Sequence, residues 1–226
     1  MTDTRIALEG AAVRGARGPV FGPVDTESRG AVTVVLGGRG SGRTSLLLSL
    51  AGRMRLSEGR ALVLGRDSAT RAGLAATRRI SGIAGFEAID ALEPGVPLGD
   101  TLRERLGWAT PWWRRTPPMT AALSGELLGE AFGEYEQPSP GTLVRELNPA
   151  EEMLLRISLA LIERPEMLCV DDLDALRDPA ERALVAERLR ILAERGLRIV
   201  VATSDPGDAA LLADPASSTA PDLIEI

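Results

Sequence analysis

The chain has 226 residues, of which 44% are hydrophobic and 3% aromatic, which is enough apolar material to bury one sizeable core. No run approaches the roughly 18 apolar residues of a membrane helix, and the N-terminus lacks the pattern of a signal peptide, so we expect a cytoplasmic protein. The net charge of -6 argues against nucleic acid as the main partner, and a single cysteine, Cys169, excludes an intrachain disulfide.

The first elements in chain order are short strands. Residues 6–13, 20–24 and 61–64 are short apolar runs separated by Gly- and Pro-rich turns, and they predict an antiparallel β layer. Residues 31–36 form a further β-branched run that is bounded by glycines, which indicates a buried strand.

A glycine-rich loop follows this strand at once. Its residues are Gly37, Gly38, Arg39, Gly40, Ser41, Gly42, Arg43, Thr44 and Ser45. The next residues are apolar at helical density, so the loop joins a strand to a helix N-terminus, where backbone N–H groups point at an anion. The pattern predicts phosphate binding, with the Thr44 hydroxyl on Mg2+. A glycine-rich turn without a ligand is the alternative interpretation.

Helical patterns that prolines interrupt occupy residues 98–147 and predict an inserted helical subdomain, which we place at roughly 98–160. The core pattern then resumes as alternating helices and buried strands, at residues 149–162, 167–170, 180–195 and 197–203. This alternation predicts a parallel sheet. The predicted fold class is therefore α/β, with a mainly parallel core sheet, an N-terminal antiparallel β layer and a helical insertion. Together with the glycine-rich loop, this arrangement resembles a P-loop NTPase. From Asp205 onwards we expect a loop-like tail that ends in a short apolar segment.

Two carboxylates, Asp171 and Asp172, stand at the end of the predicted strand at residues 167–170. Such acids can hold magnesium and orient water, although they are also common as strand caps. Because a phosphate-binding loop lies upstream, we favour the functional interpretation, with Thr44 and Asp171 as the residues that hold Mg2+.

In their order and spacing these motifs resemble the nucleotide-binding domain of ATP-binding cassette (ABC) proteins, over nearly the whole chain. Residues 37–45 match the family's Walker A loop, residues 165–172 its Walker B strand, and residues 172–179 the catalytic acid and the D-loop. The resemblance implies one domain over residues 1–226 that binds ATP and Mg2+. It also implies two partners, a membrane-embedded transporter subunit and a second nucleotide-binding domain, with the chain peripheral to the membrane.

The residues that would perform catalysis in the resembled family are altered here. Arg43 replaces a lysine, and although it keeps the charge, its planar fork is bulkier than a compact ammonium group. Asp172, at the catalytic-acid position, is one methylene shorter than glutamate, and Ser204, at the switch-histidine position, cannot share a proton near neutral pH. Gly85 lies near the position of the Q-loop glutamine. These departures predict Mg-ATP binding with weak or absent hydrolysis, although drift in a chain without lysine also explains Arg43.

The family's signature segment corresponds to residues 147–151. Pro149 removes an N–H donor there, and Glu151 brings negative charge towards a negative ligand. The same residues are also explained as a helix start, with Asn148 as N-cap, Pro149 at the first position and Glu151 at the third.

All three tryptophans, Trp108, Trp112 and Trp113, lie in the expected helical insertion, beside Arg114 and Arg115. This composition suits a docking surface for the membrane-embedded partner, and it also suits the packing of a small satellite core.

Three functions from different classes stay open at this point. The first is the ATP-binding subunit of a membrane transporter, and the second is a regulatory or scaffold module that binds nucleotide without turnover. The third is a soluble ABC-type ATPase that acts on nucleic acid or ribosomes, which the acidic composition and the single cassette disfavour.

Overall fold

A computed structural model describes residues 5–213 and 220–226 of the chain. The described strands are β1 (Ile6–Gly15), β2 (Gly18–Ser28), β3 (Val32–Leu36), β4 (Glu58–Val63), β5 (Arg66–Asp67), β6 (Ser81–Ala84), β7 (Met167–Val170), β8 (Arg198–Thr203) and β9 (Asp222–Glu225). The described α-helices are α1 (Arg43–Leu50), α2 (Arg71–Ile80), α3 (Leu98–Ala109), α4 (Ala121–Phe132), α5 (Pro149–Leu161), α6 (Pro179–Glu194) and α7 (Asp208–Leu211).

The strands form two sheets. One is antiparallel, in the order β2-β1-β4-β5, and confirms the predicted antiparallel layer. The other is parallel throughout, in the order β6-β7-β8-β3-β9, and confirms the predicted parallel sheet. In the parallel sheet β8 lies between β3 and β7, so the segments that follow these three strands emerge side by side at one edge.

Side chains of the parallel strands alternate between two hydrophobic cores, because successive residues of a strand face opposite sides of the sheet. Val34, Leu168, Val170, Ile199 and Val201 face a core built with α4, α5 and α6. The residues between them face a second core that α1 shares with the antiparallel sheet.

Cys169 belongs to the second core, in the middle of β7, and is fully buried. Burial raises the pKa of its thiol to about 12. The side chain is therefore a small core residue.

The predicted helical stretch contains α3 and α4, with the prolines between the helices, and α5 follows it. Helix α4 packs against α5 and α6, and buried Arg188 of α6 donates to the carbonyls of Ala131 and Glu130 at the end of α4, at 2.8 and 3.2 Å. Among the residues described, no helix has the length and apolar character needed to span a bilayer.

The tail differs from the expected loop. Residues 208–211 form α7, and β9 adds a fifth strand to the parallel sheet beside β3. The reason is a distant contact: the Asp222 carboxylate accepts hydrogen bonds from the Ser28 hydroxyl at 2.8 Å and from the amides of Arg29 and Gly30 at 2.7 Å. Part of the tail, residues 214–219, lies outside the described residues.

Candidate functional site

The glycine-rich loop takes a conformation that its glycines permit. Gly40 and Gly42 have φ values of 81° and 99°, in the left-handed region, and Gly42 is the N-cap of α1. A Cβ on Gly42 would lie 2.5 Å from the carbonyl oxygen of Val20 in β2, so no larger residue fits there. The loop therefore delivers its backbone to the N-terminus of α1, whose first N–H groups have no partner within the helix.

Two features of the loop fit a phosphate group. The Ser41 hydroxyl oxygen is buried and has no hydrogen-bond partner, which is costly unless a ligand supplies one. Gly38 and Gly40 face open space, since a Cβ built on either meets no atom within 4 Å. An anion could thus approach the backbone closely.

Thr44 and Asp171 meet across the site. The Thr44 hydroxyl donates a hydrogen bond to the Asp171 carboxylate, which is 2% exposed at the end of β7. Burial raises the pKa of Asp171 to about 6, and the hydrogen bond from Thr44 opposes this rise. Two oxygen ligands of this kind fit Mg2+, which takes few protein ligands and completes its shell with phosphates and water.

Arg43 joins the loop to the strand-end acids. Arg43 is only 8% exposed. Its guanidinium donates one hydrogen bond to the Gly37 carbonyl and another, 3.1 Å long, to Asp172 Oδ1. Asp174 Oδ1 lies 4.0 Å from the same Nη2 atom. The positive charge of Arg43 is thus already balanced by carboxylates of this chain.

Asp172 stands in the left-handed region, with a φ of 49°, and its side chain is 54% exposed. Its amide donates to Asp171 Oδ1 at 3.1 Å, so the two neighbouring acids are held in fixed relation. A left-handed conformation is uncommon for a residue other than glycine and is often found at functional sites.

Asp174 is the site residue that sequence reasoning missed. The Ser204 hydroxyl donates to its Oδ2, and its Oδ1 is buried without a hydrogen-bond partner. Burial would raise the pKa of Asp174, but the bond from Ser204 and the charge of Arg43 hold it below its ordinary value. The available signal was a third acid two residues after Asp172.

Gly85 follows β6 and presses against the end of β7. Its φ is 83°, and a Cβ there would lie 2.5 Å from the Asp171 carbonyl oxygen. Its amide donates to Asp90 Oδ2 at 2.8 Å. A glutamine side chain at this position would clash with the Asp171 carbonyl oxygen, which explains why a glycine stands there.

The segment at residues 147–151 is a helix start. Asn148 Oδ1 accepts from the Glu151 amide, and the Glu151 carboxylate accepts from the Asn148 amide, both at 2.9 Å. This reciprocal pair is a capping box at the N-terminus of α5, which confirms the helix-start interpretation. Within the described part of the chain, no hydrogen bond or ion pair links this segment to residues 37–45.

A family model described as ABC transporter matches residues 26–175, from the end of β2 through the loop to the acids after β7. The chain belongs to the ABC transporter family. ABC ATPase domains bind ATP with Mg2+, and the loop, Ser41 and the Thr44–Asp171 pair fit these ligands. When bound, the nucleotide and its metal would supply the phosphoanhydride and the charge that polarises it.

Two members of the ABC family show how the chain relates to proteins with assigned roles. The phosphonates import ATP-binding protein PhnC of Nitratidesulfovibrio vulgaris is 27% identical over 179 residues, which are 75% of this chain and 64% of that protein. The energy-coupling factor transporter ATP-binding protein EcfA of Methanosarcina acetivorans is 28% identical over 171 residues, 75% of this chain and 59% of that protein. The chain thus spans about 60% of the length of these two relatives.

The fold of the chain is that of solved ABC cassettes. The dimeric structure of MJ0796, a bacterial ABC transporter cassette, superposes with a TM-score of 0.71 at 18% identity, over 91% of this chain and 90% of that one. At this level of identity the match shows the fold alone. It confirms the α/β fold with a parallel core sheet and an antiparallel layer.

Proposed function

We propose that this chain is the ATP-binding subunit of an ABC-type membrane transporter, which binds Mg-ATP through the variant loop and hydrolyses it weakly or not at all on its own. The proposal includes a single nucleotide-binding domain over residues 1–226, with the helical insertion at roughly 98–160. Its partners are a second nucleotide-binding domain and a membrane-embedded subunit, which holds the chain at the cytoplasmic surface. No role with nucleic acid is proposed.

Binding is supported by the shape and chemistry of the loop. Residues 37–45 would enclose the phosphates, while Thr44 and Asp171 would hold Mg2+. The buried Ser41 hydroxyl would gain the partner that it lacks in the chain alone.

The observation that carries the weak-hydrolysis proposal is the bridge from Arg43 to Asp172. Asp172 occupies the catalytic-acid position, but the charge that would bind phosphate holds its carboxylate at 3.1 Å. Ser204, at the switch position, donates its hydroxyl to Asp174 and, unlike histidine, can neither take up nor release a proton near neutral pH. A general base in this arrangement is shorter than glutamate and is partly neutralised.

The first test is a calorimetric titration of Mg-ATP into the wild-type chain, Arg43→Lys and a control variant outside the loop, Arg71→Lys at an exposed position of α2. The forked guanidinium of Arg43 contacts the Gly37 carbonyl and Asp172 at the same time, and a lysine ammonium cannot do so. In Arg43→Lys the nucleotide therefore no longer competes with both contacts for this positive charge. Because Asp172 is half exposed, we expect a modest effect: roughly fivefold tighter binding for Arg43→Lys and no change for Arg71→Lys. Wild-type chain without affinity for Mg-ATP would overturn the binding proposal.

The second test is phosphate release by the isolated chain, in which we expect little or none. Steady release that Asp172→Asn abolishes would contradict the proposal of weak hydrolysis. Release that Asp172→Asn leaves unchanged would indicate a contaminating activity and would leave the expected result for this chain intact.

The second candidate is a regulatory or scaffold module that binds nucleotide without turnover. The capping box at Asn148 and Glu151 favours it, because these groups are committed to the helix start rather than to a nucleotide on a second subunit. Co-purification with a membrane-spanning subunit, followed by an ATPase measurement on the complex, separates the two. Turnover in the complex supports the transporter subunit, whereas bound nucleotide without turnover supports the module.

A further inference from the structure

The end of α3 and the linker that follows it expose aromatic side chains to an unusual degree. Trp112 is 91% exposed, and Trp113 and Trp108 are each 70% exposed. The packing of a small satellite core, the second interpretation of these residues, is therefore wrong. Tryptophan is among the largest apolar side chains, so such exposure indicates a surface that something else covers.

Residues 111–115 form a defined structure, which we name the tryptophan turn. The Arg114 amide donates to the Pro111 carbonyl at 2.8 Å, a hydrogen bond that closes a four-residue turn. Trp112 and Trp113 are its two central residues, and their rings pack edge to face with centroids 5.9 Å apart. The turn therefore presents both indoles together at a protruding tip.

The charge of this linker is opposite to that of the whole chain. Arg114 and Arg115 are exposed, and neither has an ion pair within residues 5–213 and 220–226. Residues 110–120 contain these two arginines and no acidic residue, whereas the chain carries a net charge of -6. The tryptophan turn thus combines two indoles with two available guanidinium groups.

Trp108 has a different environment. The Arg105 guanidinium lies 6.0 Å from its ring centre, and the side chain lines a groove of about 380 Å³ with Ile89 and Leu92. Trp112 and Trp113 do not line this groove. A protein partner anchors aromatic side chains in matching pockets, while a protruding pair of indoles fits a soft, flat surface.

We propose that the tryptophan turn contacts the headgroup region of an anionic lipid bilayer directly. Indoles settle at the membrane–water interface because their body is apolar and their N–H remains hydrated, and arginines attract anionic headgroups. This contact goes beyond the proposed function, in which only the partner subunit joins the chain to the membrane. It needs neither nucleotide nor a second protein.

Intrinsic fluorescence tests the proposal cleanly, because the chain's three tryptophans all lie at residues 108–113. Purified chain is mixed with vesicles of 30% phosphatidylglycerol in phosphatidylcholine or of phosphatidylcholine alone. We expect a blue shift of the emission and quenching by brominated lipid with the anionic vesicles, and much less of both with the neutral ones. Trp112→Ala/Trp113→Ala should lose the response while Trp108 still emits.

The charge contribution has a matched control. Arg114→Gln/Arg115→Gln should weaken vesicle affinity roughly fivefold for each arginine. Arg17→Gln/Arg71→Gln removes the same charge from two other exposed arginines, on the β1–β2 turn and α2, and should leave the affinity unchanged. Equal loss in both double variants would overturn a specific contact by the turn.

Unchanged emission of the folded wild-type chain with anionic vesicles would overturn the proposal, and a thermal melt confirms that each variant is folded. If the indoles are shielded only when a membrane-spanning subunit is present, the turn binds protein instead and the lipid proposal is wrong. Because the vesicles contain no protein, failure here leaves the transporter-subunit proposal untouched.

Discussion

Asp171 must satisfy two opposing requirements. Its carboxylate is placed among buried groups at the end of β7, where burial raises its pKa to about 6. To hold a divalent cation it must be ionised, and the site then contains a buried charge whose cost the hydrogen bonds from the Thr44 hydroxyl and the Asp172 amide offset only in part. The chain without nucleotide is therefore destabilised at neutral pH by the ionised form of Asp171, the form that the proposed Mg2+ site requires.

The variant Asp171→Asn tests this cost. Between about pH 4 and 6 the folded chain binds a proton at Asp171 that the unfolded chain releases, so the free energy of unfolding falls as pH rises through this window. The move from 3.8 to about 6 corresponds to at most about 3 kcal/mol at pH 7. We expect Asp171→Asn to melt at a higher temperature than wild type at pH 7, with the difference disappearing near pH 4.

The control for this prediction is Asp100→Asn, an exposed position in the first turn of α3. It should follow the wild-type melting temperature across the same pH range. A constant difference between Asp171→Asn and wild type from pH 4 to 7 would contradict a titrating Asp171.

At the scale of the elements, the carboxyl ends of the neighbouring strands β6 and β7 lie very close to each other. Gly85 follows β6 in a left-handed conformation, and its backbone contacts the end of β7 at Asp171. The position therefore couples two neighbouring strand ends through steric fit, while its amide holds Asp90.

Gly85→Ala should destabilise the fold by roughly 3 kcal/mol, because it combines a positive φ with a backbone clash. Gly141→Ala is the matched control, since a Cβ there meets no atom within 4 Å and its φ is ordinary. Thermal melting measures both changes. Similar melting temperatures for the two variants would show that the strand ends can separate without cost.

The elements with strong local patterns were predictable from sequence. The strand before the loop, the loop, and the strand Met167–Val170 follow from apolar runs and glycines whose cause lies within a few residues. Strands β6 and β9 were not predicted. They are four residues long, and β9 depends on Asp222 reaching Ser28, far upstream in the sequence.

The same distinction applies to the candidate site. The contact between Thr44 and Asp171 was expected, because the loop after β3 and the acids after β7 emerge at the same edge of a parallel sheet. The partners of Arg43 were not, since a long flexible side chain can reach several carboxylates and only the folded arrangement selects Asp172. Asp174 was missed because nothing local connects it with Ser204.

At the scale of the whole molecule, a buried polar cluster joins the two sheets. Arg198 of β8 is 6% exposed and donates to the hydroxyls of Ser28 and Thr33, at 2.5 and 3.1 Å, and Ser28 in turn donates to Asp222. The cluster thus links β2, β3, β8 and β9. Burial would raise the pKa of Asp222, but hydrogen bonds, first that of the Gly30 amide, hold it below its ordinary value.

Asp222→Ala should lower the free energy of unfolding by about 3 kcal/mol, because it leaves the Gly30 and Arg29 amides and the Ser28 hydroxyl without their acceptor. The stability that Asp222 contributes is present above its unfolded pKa and is lost as pH falls through the lower folded value. The difference from wild type should therefore shrink in acid. Glu225→Gln, at an exposed position of the same strand, should melt like wild type at every pH.

The burial of Cys169 has a practical consequence for all of these measurements. A thiol reacts as the thiolate, and this one is shut inside β7 with its pKa raised to about 12. An alkylating reagent can modify the chain only during moments when the central sheet opens. The labelling rate of Cys169 therefore measures how often the native sheet opens, with no engineered probe, and we expect it to fall when bound Mg-ATP stabilises the folded chain.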